Sequence, residues 1–112
     1  MKDERLYLIH IKEAIEWIED FTKDGREFFF VDRKTQDAVL RNLQTLSEST
    51  QQLSPSIKDS HPGTDWQAIS GFRNVVVHDY LGIDLEQVWD IVSADLPGLK
   101  REILKILDES PG

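Results

Sequence analysis

The chain has no cysteine among its 112 residues. Disulfides and thiolate-held metal sites are therefore excluded, and a reducing cytosol is the expected setting. It also lacks any long apolar run. Nothing approaches the roughly 20 residues that span a bilayer, so no membrane partner is expected. The opening "MKDERLYLIHIKEAIEWIED" alternates charge with apolar residues and does not follow the pattern of a secretory signal. Positive charge is scarce: 13 Lys and Arg face 21 Asp and Glu, for a net charge of −8. That balance argues against a protein that coats nucleic acid, which needs a cationic surplus. The deficit is uneven. Residues 1–32 carry nine acids against five bases and residues 83–112 seven against three, whereas residues 33–82 carry five of each. Any contact with RNA is expected in the middle of the chain. Histidine is rare too. His10, His61 and His78 are scattered, none with a second histidine three or four residues on, and no metal site or cofactor is predicted. There is no phosphate-cradling glycine loop, internal repeat, low-complexity tract or sustained strand alternation.

What is present is helical periodicity. Leu8, Ile11, Ile15, Ile18 and Phe21 recur at helical spacing and predict a first helix over about residues 3–22, ended near Gly25. "REFFFVD" follows, and three consecutive phenylalanines (Phe28–Phe30) are too apolar for a free loop. They are expected to dock on the bundle or on a partner chain. Asp32 reads as the N-cap of a second helix reaching about Leu53, with Val39, Leu43, Leu46 and Leu53 as its buried seam. "SPSIKDSHPG" reads as a loop. A third helix is predicted from Thr64 or Asp65, and Asp84 is placed to cap a fourth segment over about 85–108. Leu85, Val88, Val92, Leu99, Ile103 and Ile106 form its apolar stripe. Pro97 is expected to split that segment, with Asp95 capping the second piece. One domain spanning residues 1–112, all-α, a four- to five-helix up-and-down bundle, is the resulting fold class.

The chemistry concentrates in "GFRNVVVHDY", residues 71–80. At about 100° per residue, with Arg73 at the origin, Asn74 falls at about 100° and His78 at about 140°. Ala68, Ile69, Phe72, Val75 and Val76 fall on the other side, toward the core. Val77 lies among the polar positions, which suggests that this face is covered, in one reading by another subunit. A bland account is available for each residue. Arg73 can pair with Glu48 or Asp79, His78 can sit as a surface residue at a helix end, and Tyr80 can be a phenol bonded to backbone.

Arg73, Asn74, His78 and Tyr80, spaced as "RNVVVHDY", resemble the signature of the HepT-like toxins of the HEPN superfamily. "DAVLRNLQTLSES" is similar to that family's second helix, with Glu48 at its acidic position, although Ser47 and Ser49 stand where the family has Gly and Ala. "DWQAISGFRNVVVHDYLGID" and "VWDIVSADLPGLKREI" are similar to its later blocks, so the likeness covers nearly the whole chain. The resemblance implies a HEPN-like helical homodimer that cleaves RNA without metal, with Arg73, Asn74 and His78 catalytic and Glu48 supporting. An unperturbed imidazole changes charge near neutrality, and His78 therefore suits proton transfer. The guanidinium of Arg73 stays charged and matches phosphate oxygens. It further implies an MNT-type nucleotidyltransferase antitoxin as partner, and Tyr80 as the acceptor of AMP. Two other readings remain: a non-catalytic binding module that docks the nucleotidyltransferase, and a nucleotide-binding accessory subunit.

Overall fold

The computed structural model describes residues 4–72 and 84–109. Among these every regular element is helical. Helix α1 spans Glu4–Phe21 and buries Leu8, Ile11, Ala14, Ile15 and Ile18, four of them positions that the periodicity marked. Thr22 Oγ1 donates to the Ile18 carbonyl at 2.7 Å. The chain then turns at Gly25, whose φ of 95° lies where side-chain-bearing residues are strained.

Helix α2, Arg26–Val31, is made by "REFFFV". Phe29 is fully buried, with its ring 5.4 Å from that of Trp89. Phe30 is half-buried under the Arg26 guanidinium, 4.4 Å from its ring centre, and Phe28 stays exposed. The expected docking on the bundle thus falls chiefly to Phe29. Arg26 also pairs with Glu86.

Asp32 caps α3, Arg33–Gln51, as its sequence suggests: its carboxylate accepts from the Thr35 amide at 3.1 Å. The Thr35 hydroxyl donates to the same oxygen, and these two hydrogen bonds hold the Asp32 carboxyl below its ordinary pKa. The seam of Val39, Leu43 and Leu46 packs into the core. Each such side chain contributes about 1.5–3 kcal/mol by leaving water.

"SPSIKDSHPG" differs from expectation. Ser54 accepts from the Ile57 amide and Pro55 occupies the first turn of a short helix α4, Pro55–Ser60. The same Ser and Pro that read as a loop signal also form a helix start. Helix α5, Trp66–Ser70, begins where predicted, with Asp65 accepting from the Ala68 amide at 3.0 Å. Asp84 likewise caps α6, Leu85–Asp90.

Pro97 does not split the last segment. Helix α6 passes through a π turn at Ile91–Asp95 into α7, Leu96–Glu109, and Asp95 lies within that turn rather than at a cap. The Leu96 amide donates to the Ile91 carbonyl, five residues back. A proline removes one backbone donor and crowds the carbonyl four residues before it, and a wider turn relieves that crowding. Spacing matters as well. The buried positions step Val88, Ile91, Leu96, Leu99, Ile103, Ile106, and the step of five between Ile91 and Leu96 needs a π turn to keep both on one face.

Directions follow from three contacts. Glu4 accepts from the Ser54 amide at 2.6 Å, so α1 starts where α3 ends. Arg5 donates to the Leu107 carbonyl at 3.3 Å, and Lys100 to Glu19 at 2.9 Å. Helix α1 is therefore antiparallel to both α3 and α7. The up-and-down arrangement holds for these three.

Candidate functional site

Of the site residues singled out by sequence, Glu48 alone lies among the described residues. Arg73, Asn74, His78 and Tyr80, together with Val75, Val76 and Val77, lie outside them. What the structure provides is the frame into which that segment is tied: α5 and Phe72 before it, and the Asp84 cap of α6 after it.

Helix α5 is only five residues long, and a single turn does not hold itself together in water. Tertiary contacts hold it instead. Trp66, Ile69 and Phe72 are buried in the core, and Trp66 Nε1 donates to the His61 carbonyl at 3.0 Å. His61 in turn sits 2.6 Å from Glu102 and 3.4 Å from Glu109 through its two ring nitrogens, tying the α4–α5 connection to α7. On the other flank, Ser47 Oγ of α3 donates to the Ile69 carbonyl at 3.1 Å. Gln51 Nε2 lies 3.5 Å from the Ser70 carbonyl. Expectation placed Ala68 on the core side of the third helix, but it is exposed. Its methyl lines a cleft rather than the interior.

Glu48 is exposed on α3 and accepts from Gln44 Nε2 at 3.4 Å. It follows Ser47 directly, so it points about 100° around α3 from the side chain that grips α5. Gln44 and Gln51 fall inside the same arc. Glu48 thus stands at the edge of the α3 face turned toward α5.

The cleft lies on the opposite flank of α5, against the π turn and the start of α7, with a volume of about 350 Å³. Ala68, Ile69, Phe72 and Leu99 give it an apolar floor, and Asp65, Asp95 and Glu102 stand around it. Carboxylates repel a phosphodiester, so Asp65, Asp95 and Glu102 make this cleft a poor place for one. A second acidic hollow lies on α1, formed by Glu13, Glu16, Trp17 and Asp20, with the Trp17 ring exposed and stacked on Phe21.

Sequence reading did not assign the Ser47, Gln51 and His61 contacts. Ser47 carried a signal. It falls four residues after Leu43, in the apolar seam, and a hydroxyl at such a position needs an acceptor.

An all-helical bundle with one short helix leading into an Arg–Asn–His–Tyr block is the class of protein that these features define. The chain belongs to the HepT-like family: the family model described as "Ribonuclease HepT-like" matches residues 11–106. Among curated relatives, a Methanocaldococcus jannaschii protein named "Gamma-glutamylcyclotransferase and putative RNase" is 38% identical over 109 residues. That match takes in 96% of this chain but 49% of the relative, so the chain spans about half of that longer protein. A Thermococcus cleftensis protein named "Probable ribonuclease HepT" is 38% identical over 101 residues, covering 89% of this chain and 92% of the relative. A second M. jannaschii protein, named "Putative RNase", is 35% identical over 112 residues, covering 99% and 93%. No solved structure shows a significant match.

Proposed function

We propose that this chain is a metal-independent endoribonuclease, the toxin of a HEPN/MNT toxin–antitoxin pair, acting in the cytoplasm as a homodimer and silenced by AMPylation of Tyr80. One observation carries the reading: a chain of the HepT-like family keeps Arg73, Asn74, His78 and Tyr80 together in "RNVVVHDY". Helix caps at Asp65 and Asp84 bracket that block.

The chemistry asks for a base to take the 2′-hydroxyl proton, a cation on the non-bridging phosphate oxygens, and an acid for the departing 5′-oxygen. His78 serves as base and Arg73 as the cation, with Asn74 orienting the imidazole or donating to phosphate. One imidazole cannot be base and acid in the same step, so a second copy supplies its own His78 across the dimer cleft. The oxygen of the 2′-hydroxyl bonds to phosphorus as the 5′-oxygen leaves, giving a 2′,3′-cyclic phosphate and a 5′-hydroxyl. Glu48, at the α3 edge, supports the cationic side of the cleft. AMP on Tyr80 brings a second phosphate beside Arg73 and repels RNA.

The test is expression with and without a neighbouring nucleotidyltransferase, alongside cleavage of RNA in the presence of a chelator. Arg73→Ala and His78→Ala are each expected to relieve toxicity and lower cleavage by about 10²-fold or more. Wild type and both variants behaving alike rejects the nuclease reading. A mass gain of AMP that persists in Tyr80→Phe rejects the acceptor. The acidity of α1, with Trp17 exposed among Glu13, Glu16 and Asp20, favours as second reading a non-catalytic module that docks a basic protein. Binding of the nucleotidyltransferase with no RNA cleavage is its signature.

A further inference from the structure

Ser47 is fully buried, and its hydroxyl is committed to one acceptor outside its own helix, the Ile69 carbonyl of α5 at 3.1 Å. Gln51, one turn further along α3, reaches toward the next carbonyl, that of Ser70, at 3.5 Å. Two side chains spaced i, i+4 on α3 therefore address successive carbonyls at the last turn of α5. Ile69 and Ser70 close α5, and the Ile69 carbonyl also accepts from the C-cap Gly71 amide, so a side-chain donor there acts on the helix end and on where the chain goes next. The apolar contacts of Ile69 and Phe72 set how deeply α5 sits, but apolar contact is non-directional. A hydrogen bond is directional, and this one fixes rotation and height of α5 relative to α3. Arg73 follows three residues after Ser70, and Glu48 follows Ser47 by one. The same bond thus sets where the chain enters the Arg–Asn–His–Tyr block relative to the carboxylate on α3.

We propose that Ser47, assisted by Gln51, is a positioning residue: it sets the rotation and height of α5, the helix that leads into the Arg–Asn–His–Tyr block, against the α3 face that carries Glu48. The catalytic consequence rests on the nuclease reading above; the structural consequence does not.

Two measurements on Ser47→Ala and on the Ser47→Ala/Gln51→Ala double variant separate the two. The first is the single-turnover cleavage rate at a temperature well below either variant's Tm, with circular dichroism confirming the parent's helix content. The rate is expected to fall about tenfold, since small displacements of reacting groups are costly. KM for RNA should stay within twofold of the parent, and the inflections of the pH profile should not move. The second is amide hydrogen exchange, which needs no activity. Exchange over residues 66–72 is expected to accelerate at least tenfold, with α1 and α7 unchanged. A variant that melts lower but cleaves at the parent rate overturns the proposal. So does unchanged exchange over 66–72, including exchange already unprotected in the parent, or acceleration spread evenly over all helices. Should the parent itself leave RNA uncut, the nuclease reading falls, and the exchange measurement still decides the role of Ser47.

Discussion

Single side chains in this protein act chiefly by occupying the open ends of helices. Asp32, Ser54, Asp65 and Asp84 each accept from the amide three residues on, in the following helix, satisfying donors that the helix leaves bare. Asp32 does so as a carboxylate whose pKa is lowered, first by the Thr35 hydroxyl and then by the Thr35 amide. A group depressed in the folded state contributes stability that is present above its unfolded pKa and lost as pH falls through the folded one. For Asp32 that window lies below about pH 4. Asp32→Asn keeps an acceptor but not the charge. Its Tm is expected to fall less than the parent's between pH 5 and pH 2.5, as thermal melts at both values would show. An equal fall in both proteins removes Asp32 from the acid response. Lys100 runs the other way. Its hydrogen bond to Glu19 raises its pKa, so its contribution is present at neutral pH and lost as pH rises past about 10.4.

At the scale of elements, the last helix shows how spacing selects a turn. A regular α-helix places residues five apart about 140° from each other, yet Ile91 and Leu96 are both buried. The π turn reconciles them, and its extra residue falls among exposed positions, Ser93, Ala94 and Asp95. Deleting Ser93 converts the step of five into a step of four, which an ordinary helical turn satisfies. The deletion variant is expected to unfold cooperatively with a Tm within a few degrees of the parent. Loss of cooperative unfolding would show that the π turn itself, rather than the register it preserves, holds the bundle. Deletion of Ala38, in the middle of α3, offers the contrast. It rotates Val39, Leu43 and Leu46 relative to the first turn and is expected to abolish folding.

For the whole molecule, charge is the deciding quantity. On the nuclease reading, a chain with a net charge of −8 can hold RNA only where the carboxylates are thin. The five bases of residues 33–82 are Arg33, Lys34, Arg41, Lys58 and Arg73, and Arg33 already lies 3.7 Å from Asp37. Neutralising single-stranded phosphates costs about 0.7 in salt slope apiece. A plot of log affinity against log salt is therefore expected to be no steeper than about −3.5 per subunit. A steeper slope would place RNA on the acidic ends as well and overturn the expectation that contact falls within residues 33–82.

Sequence alone carried the α1 and α3 seams, the caps at Asp32 and Asp84, and the start of α5, because periodicity and capping are local and need no tertiary partner. It also carried the chemical identity of the Arg73–Tyr80 block, since residue types and their spacing are properties of the chain. Tertiary structure decided what depends on distant neighbours. Pro97 continues a helix because Leu96 must face the core with Ile91. Ala68 faces a cleft because the π turn and α7 stand beside it, and Ser47 grips Ile69 across 22 residues of chain. A hydrogen bond or a buried face exists only once two segments have met, and no local pattern records where they meet.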